Sequence, residues 1–346
     1  MTADATSLSM NPPISHLGRI AYIPHEDIGN AYTERMRELL SGFGAVERFA
    51  GIKTLLRGLP GTLRCYDAII VNWQENAIVK FHSGRISLKG VAKLFVKTLL
   101  MRIFTKRLIV VHHNNYPHGT RAGSERAARN LVDAYEILFD VVLTHSGATV
   151  GMGRLYCPHP LYRSEPEPSE TADAILPDNY FLAFGRIVAY KKLDVLIQNF
   201  PPLKLLVVAG SVGDSAYARL LAGMKRWNFI FQPGHLSESE AQRLVRSARG
   251  VVIANADEDV VVSGTFFYAM SLGCPVFAVT TPFLAWVSSR IGHELLVLAP
   301  DLKQLCRVIA KVGMKPVSAQ SLEAVEREFG DPAVRRGLAL ALGIKS

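Results

Sequence analysis

Short apolar runs recur along this chain, each followed by a stretch with helical spacing, and that alternation restricts the fold more than any other feature. The runs Ile20–Ile23, Ala68–Val71, Leu108–His112, Val141–Thr144, Phe181–Phe184, Lys204–Ala209, Phe229–Phe231, Gly250–Ile253 and Pro275–Val279 are strand candidates. Between them Thr33–Gly42, Lys89–Phe104, Ser124–Phe139, Leu193–Gln198, Ser237–Ala248 and Thr265–Leu272 show the repeat of amphipathic helices. A strand apolar on both faces must be covered on both, and helices between successive strands make those strands parallel. The expected class is α/β, doubly wound.

A length of 346 residues suits two such domains of about 150 residues each. In the segment RSEPEPSETADAILP, from Arg163 to Pro177, Pro, Ser and Glu replace the apolar runs. This predicts a linker over 163–178 that divides a first domain, 17–162, from a second, 179–346. The closing segment Ser318–Ser346 reads as one or two helices able to pack on either domain. Met1–His16 lacks a basic segment leading into an apolar run, so it reads as a tail and not as a secretory signal. Val260–Ser289 is uncharged, yet Gly264, Gly273, Pro275 and Pro282 interrupt it, which suits a buried helix, turn and strand rather than a membrane span. Cys65, Cys157, Cys274 and Cys306 form no C-x-x-C pair, which argues against a zinc site or a disulfide framework and for a reducing cytoplasm.

Two doubly wound domains facing each other place their strand ends around a cleft, where such folds bind ligands. The formal charge of +9 directs attention to phosphates, anionic lipid or nucleic acid, and the last is disfavoured because the basic residues form no recognisable RNA or DNA module. After FLAF come Gly185, Arg186 and, five residues beyond Arg186, Lys191. A guanidinium fork and a mobile ammonium either side of a strand-to-helix turn suit a diphosphate, although a solvated basic turn has the same spacing. Ser263-Gly264-Thr265 precedes the apolar run FFYAMSL, where free first-turn amides offer an anion site, unless Ser263 merely caps the helix.

In the first domain LIVV runs into His112-His113-Asn114-Asn115-Tyr116-Pro117-His118-Gly119, too polar for a core and bent by Pro117 and Gly119. Its imidazoles can accept a proton or bind a sugar hydroxyl. Zinc chelation is the rival, weakened by the lack of an i, i+4 His pair and of a nearby acid or Cys. Trp73 after AIIV offers a platform for a sugar ring, or a plug for the interdomain surface; Glu75 offers a base, and Asp27 in PHEDIGNAY is its equal. Over 89–107, Lys93, Lys97, Arg102, Lys106 and Arg107 interleave with Leu94, Phe95, Leu99, Leu100, Ile103 and Phe104. This reads as a basic amphipathic helix for an anionic membrane surface, or as an ordinary surface helix with snorkelling lysines.

Phe184-Gly185-Arg186 with Lys191, then the Ser-Gly-Thr helix and Ala269-Met270-Ser271-Leu272-Gly273-Cys274-Pro275-Val276, resembles the nucleotide-sugar half of GT-B glycosyltransferases. Among these it is most similar to bacterial exopolysaccharide and capsule enzymes of the xanthan-assembly kind. The resemblance implies two Rossmann-like domains around a cleft. It implies a hexosyltransferase taking a UDP- or GDP-linked sugar to a polyprenyl-diphosphate-linked saccharide, with no cofactor or metal, peripheral on the inner face of the plasma membrane. By it Gly185, Arg186 and Lys191 would hold the donor diphosphate, and Ser263, Gly264 and Thr265 would close over phosphate and ribose. His113 falls in register with the family's active-site histidine, with His118 beside it, and PHEDIGNAY resembles the acceptor-side loop. Retaining members carry two acids eight apart; here Val260 and Tyr268 fill those places, with Glu258 and Asp259 adjacent, so the ribose-gripping carboxylate is missing. That absence raises a second reading, a non-catalytic GT-B-like nucleotide-binding or scaffolding protein. A Rossmann oxidoreductase is disfavoured because no G-x-G-x-x-G follows the first strand.

Overall fold

A computed structural model of the chain describes residues 17–26, 30–80, 83–163, 179–256, 261–313 and 316–344. Its strands are β1 (Arg19–Ile23), β2 (Ala45–Arg48), β3 (Tyr66–Asn72), β4 (Thr105–His112), β5 (Val141–Thr144) and β6 (Leu155–Tyr156), then β7 (Tyr180–Phe184), β8 (Leu205–Gly210), β9 (Phe229–Pro233), β10 (Gly250–Ile253), β11 (Val276–Val279) and β12 (Leu296–Ala299). They form two six-stranded sheets, ordered β2-β1-β3-β4-β5-β6 and β12-β11-β10-β7-β8-β9. Every pairing is parallel. In each sheet the chain starts inside and winds outward in both directions, so the order reverses between β1 and β3 and again between β7 and β10.

Both faces of both sheets are covered. Along β7, Leu182 joins a cluster with Phe266, Phe267 and Met270, while Phe181 and Ala183 face Leu196, Leu221 and Ile309 on the other side. In the first sheet Ile20 and Tyr22 pack with Met36 and Leu39, and Ala21, Ile69 and Val71 with Leu94, Met101 and Phe104. This two-sided burial is why the strands read as apolar runs. Three strands that the runs do not reveal, β2, β6 and β12, all lie at sheet edges, where one neighbour is absent. The helices Ile52–Arg57, Ser215–Ala222, Pro282–Ile291 and Leu302–Lys311 are likewise additional to the sequence reading.

The uncharged stretch becomes helix Gly264–Ser271, β11 and helix Pro282–Ile291; among the described residues no helix is long and apolar enough to cross a membrane. Helix Leu88–Phe104 forms, but its cationic face is smaller than the sequence suggests. Arg102 pairs with Asp140 and Lys106 with Asp67, both at 2.7 Å, and Lys106 and Arg107 belong to β4. Leu94 and Phe104 are core residues, leaving Leu88, Val96, Leu99 and Ile103 exposed.

The closing segment is two helices that pack on different domains. Ala324, Val325 and Phe329 of helix Ala319–Phe329 enter the second core, and Val334, Leu338, Ala341 and Leu342 of helix Asp331–Leu342 enter the first. Buried Arg35 holds the crossing by donating to the Leu161 carbonyl at 3.0 Å and to the carboxylates of Glu38 and Asp331. Of the expected linker only Arg163 is among the described residues.

The domains also meet where the turn Gly147–Met152 packs on helix Pro282–Ile291. A Cβ on Gly147 would collide with the Trp286 indole, which also meets Tyr156 edge-on at 5.1 Å. Gly147→Val should therefore lower stability by about 1–3 kcal/mol. Adding Trp286→Ala should return part of that loss, so additive costs in chemical denaturation would show that the two residues do not meet.

Candidate functional site

The turn after β7 is shaped by two glycines. Gly185 has φ +104°, and Gly210 at the end of β8 has φ +136° and lies so close under the Gly185 carbonyl that no side chain fits between them. The chain then folds back so that Lys191 Nζ donates to the Phe184 carbonyl at 3.3 Å. Thr265 Oγ1, from helix Gly264–Ser271, donates to the same carbonyl at 3.5 Å. A Cβ on Gly185 would stand 3.0 Å from Lys191 Nζ and 3.5 Å from Thr265 Oγ1, so ammonium and hydroxyl face each other across a bare backbone.

Ser263 Oγ accepts from Phe266 N at 3.3 Å, so it does cap the helix. Capping and anion binding are compatible, because the amides of Gly264 and Thr265 have no acceptor within the helix. These groups border a cavity of about 270 Å³, walled by Phe184, Lys191, Asn255 and Ser263–Thr265 from the second domain and by His118 from the first. It opens at the carboxyl ends of β7 and β10, where the strand order reverses, the place where open parallel sheets bind ligands. Burial, and then the charge of Arg186, pull the Lys191 ammonium down to about 8. Arg186 itself is exposed and leans on Gly213, beside the cavity and not in its wall.

Tyr268 does not reach the cavity. Its hydroxyl donates to Glu238 Oε1 at 2.7 Å, and its ring packs 5.1 Å from Phe184 and 5.6 Å from Tyr162. Val260, Glu258 and Asp259 lie outside the described residues, as does Asp27.

The three imidazoles of the HHNNYPH loop diverge. His112 Nδ1 contacts Glu136 Oε1 at 2.5 Å, and Arg154 donates to Glu136 Oε2 at 2.9 and 3.0 Å. Burial alone would raise the Glu136 carboxyl, but His112 and Arg154 outweigh it and hold it low. His113 is buried, stacks on Trp73 at 4.4 Å and meets Asn72 Oδ1 through Nε2 at 3.0 Å. Burial and three neighbouring histidines keep it well below the usual imidazole range, hence neutral. Trp73 is thereby occupied by His113. Only His118 reaches the cleft, its ring parallel to Tyr190 of the second domain at 5.7 Å. Among the described residues no three His, Cys, Asp or Glu are placed to share a metal ion.

Sequence reading missed a buried group behind the cleft, signalled only by the histidine after the run VVLT. His145 Nδ1–H donates to the Cys157 carbonyl, so Nε2 must accept from Tyr32 Oη, both at 2.7 Å, and burial lowers His145 to about 4. His159 stacks on Phe267 across the domain boundary at 4.2 Å.

No protein-family model matches the chain, and no curated protein matches it in sequence. Solved structures match in fold. Sucrose-phosphate synthase from Thermosynechococcus elongatus aligns with TM-score 0.66 at 15% identity, over 94% of this chain and 98% of that one. Anabaena HepE, solved with UDP and glucose, aligns with TM-score 0.60 at 13% identity, over 95% and 100%. An α,α-trehalose-phosphate synthase (UDP-forming) from Burkholderia vietnamiensis gives 0.55 at 11%, over 95% and 100%. The two parallel six-stranded sheets with their helices are the GT-B architecture, and these structural neighbours are GT-B glycosyltransferases.

Glu75, in the turn Gln74–Ile78, is 4% exposed and its Oε1 has no hydrogen-bond partner among the described residues. Burial first, then the charge of Glu136, raises its carboxyl to about 7, with Asn114 and His118 opposing. An unfolded glutamate titrates near 4.5, so between 4.5 and 7 the unfolded chain releases a proton that the folded one retains. Stability from this group is full below 4.5 and is lost as pH rises towards 7. Glu75→Gln should therefore gain on the wild type by on the order of 3 kcal/mol between pH 4.5 and pH 8 in denaturant titrations. A difference independent of pH would contradict the buried acid.

Proposed function

We propose that this protein is a hexosyltransferase that moves a sugar from a nucleoside diphosphate donor to a saccharide on polyprenyl diphosphate, in exopolysaccharide or capsule assembly of the xanthan-assembly kind. One observation carries the reading: Lys191 Nζ and Thr265 Oγ1 meet over Gly185 at a helix N-terminus, inside a cleft that a first-domain histidine closes. As the anomeric bond breaks, negative charge grows on the leaving diphosphate. The ammonium of Lys191, the Thr265 hydroxyl and the amides of Gly264 and Thr265 stabilise it, by on the order of 3 kcal/mol for each well-placed donor. Arg186, exposed beside Lys191, adds a second cation to the same anion. The reading requires no metal ion, since these groups already supply positive charge. HepE has been solved with UDP-glucose, so a uridine donor is tested first.

His118 is the first-domain group placed to meet the acceptor. Glu75, with Asn114 next to it, and Asp27 remain the base candidates, and His113, walled in by Trp73 and Asn72, serves to position the loop. The acceptor arrives from a bilayer. Exposed Leu88, Val96, Leu99 and Ile103 with Lys89 and Lys93 lie alongside Leu56, Leu59 and Leu63 with Lys53 and Arg57, a mixed apolar and basic surface suited to anionic lipid. This gives a peripheral protein on the cytoplasmic side of the plasma membrane.

A second reading, nucleotide binding without catalysis, is favoured by the Tyr268 hydroxyl being held by Glu238 where an acid would stand in retaining enzymes. UDP binding with no sugar transfer to any lipid extract would select it.

Lys191→Ala should lower nucleotide-sugar turnover at least tenfold, and unchanged turnover removes the assignment. Because free Lys191 titrates near 8 and a bound diphosphate favours its charged form, UDP affinity should hold below pH 8 and fall above it. Calorimetry on Lys191→Ala should show no such fall.

A further inference from the structure

A separate cavity of about 280 Å³ lies in the first domain at the carboxyl ends of β1 and β2. Its walls gather nitrogen-bearing side chains from three elements: His25 just past β1, Arg48 at the end of β2 and Lys97 from helix Leu88–Phe104, with Phe49 as an apolar wall. Arg48 is exposed and makes no hydrogen bond or ion pair among the described residues. Lys97 is half-buried and donates to the Gln74 amide oxygen at 2.8 Å, a neutral acceptor that leaves its charge uncompensated. Arg37 stands behind, donating to the His25 carbonyl at 3.0 Å, and both Arg37 Nε and His25 Nδ1 are buried without a hydrogen-bond partner among the described residues. The carboxylate at the rim, Glu26, is 72% exposed and 3.9 Å from His25 Nδ1.

Among the described residues positive charge therefore outweighs negative in this partly closed space. Burial, then Lys93, lowers the Lys97 ammonium, and burial, then Arg37, lowers His25. Both are penalties on a cation that a bound anion would relieve. The geometry points to this cavity as the seat of a phosphate or diphosphate group on the acceptor, gripped by the Arg48 fork and the Lys97 ammonium. The assignment deepens the glycosyl-transfer reading and rests on it for the word acceptor. Two sources share the chemistry: a free sugar phosphate, and the diphosphate of a lipid-linked saccharide. Lys97 belongs to the helix whose neighbouring residues Val96 and Leu99 are exposed, which places the cavity close to the surface described above as lipid-facing.

The test uses the full chain. UDP is titrated first, and that step alone decides the donor reading. Inorganic pyrophosphate is then titrated into UDP-saturated protein, where the Lys191 cleft is occupied. Single-site binding is expected, weakened at least tenfold by Arg48→Ala and by Lys97→Gln. Arg48 is on the surface, so its variant keeps the test open should Lys97→Gln unfold. Displacement of pyrophosphate by glucose 6-phosphate identifies a soluble acceptor, and displacement by polyprenyl diphosphate in neutral vesicles identifies a lipid-linked one; either supports the site. No binding to the UDP-saturated protein, binding unchanged in folded variants, or displacement by neither compound overturns it. Failure of UDP to bind, with pyrophosphate binding still sensitive to Arg48, removes the transfer reading and leaves the anion site standing.

Discussion

Everything polar in this molecule is arranged by the burial of two parallel sheets on both faces. Helices cover the faces, so the sheet interiors hold only packing, as the alternating sides of β7 illustrate with Phe181 and Leu182. Groups that must stay wet or meet a ligand are left with the strand ends and the turns beyond them. The Lys191 cavity and the Arg48 cavity obey the same rule, the first after β7 and β10, the second after β1 and β2.

The two domains handle charge differently at those ends. The second presents cations and backbone donors over a bare glycine turn, where no carboxylate among the described residues pairs with Lys191. The first sinks its histidines into aromatic and hydrogen-bonded surroundings: His145 under Tyr32, His113 under Trp73, and His112 against a carboxylate that Arg154 already holds. Removing water from an imidazole disfavours its cation. His113 and His145 are thus held neutral behind the cleft, while His118 reaches across it to Tyr190.

Inner strands and cleft-forming turns were legible in the sequence because two-sided burial leaves an unbroken apolar run and because glycine and lysine at a strand end have few structural uses. Edge strands were not: β2, Ala-Val-Glu-Arg, is half solvated and has no run to detect. Side-chain direction was also hidden. Nothing in the spacing of HHNNYPH distinguishes His113, which turns inward to Asn72, from His118, which turns outward, since that depends on partners 41 residues upstream and across the cleft. Tyr268 shows the same limit, its hydroxyl being taken by Glu238, 30 residues earlier in the chain. Glu75 read as a base at the cleft, and the sequence did not show that packing buries its carboxyl.

The last helix, Asp331–Leu342, belongs by sequence to the second domain and by packing to the first. The backbone thus passes between the lobes twice, once through the segment after Arg163 and once at Gly330, with the Arg35 clamp at the second passage. A chain cut between the lobes after Arg163 would therefore still carry helix Asp331–Leu342, a part of the first core, on the backbone of the second lobe.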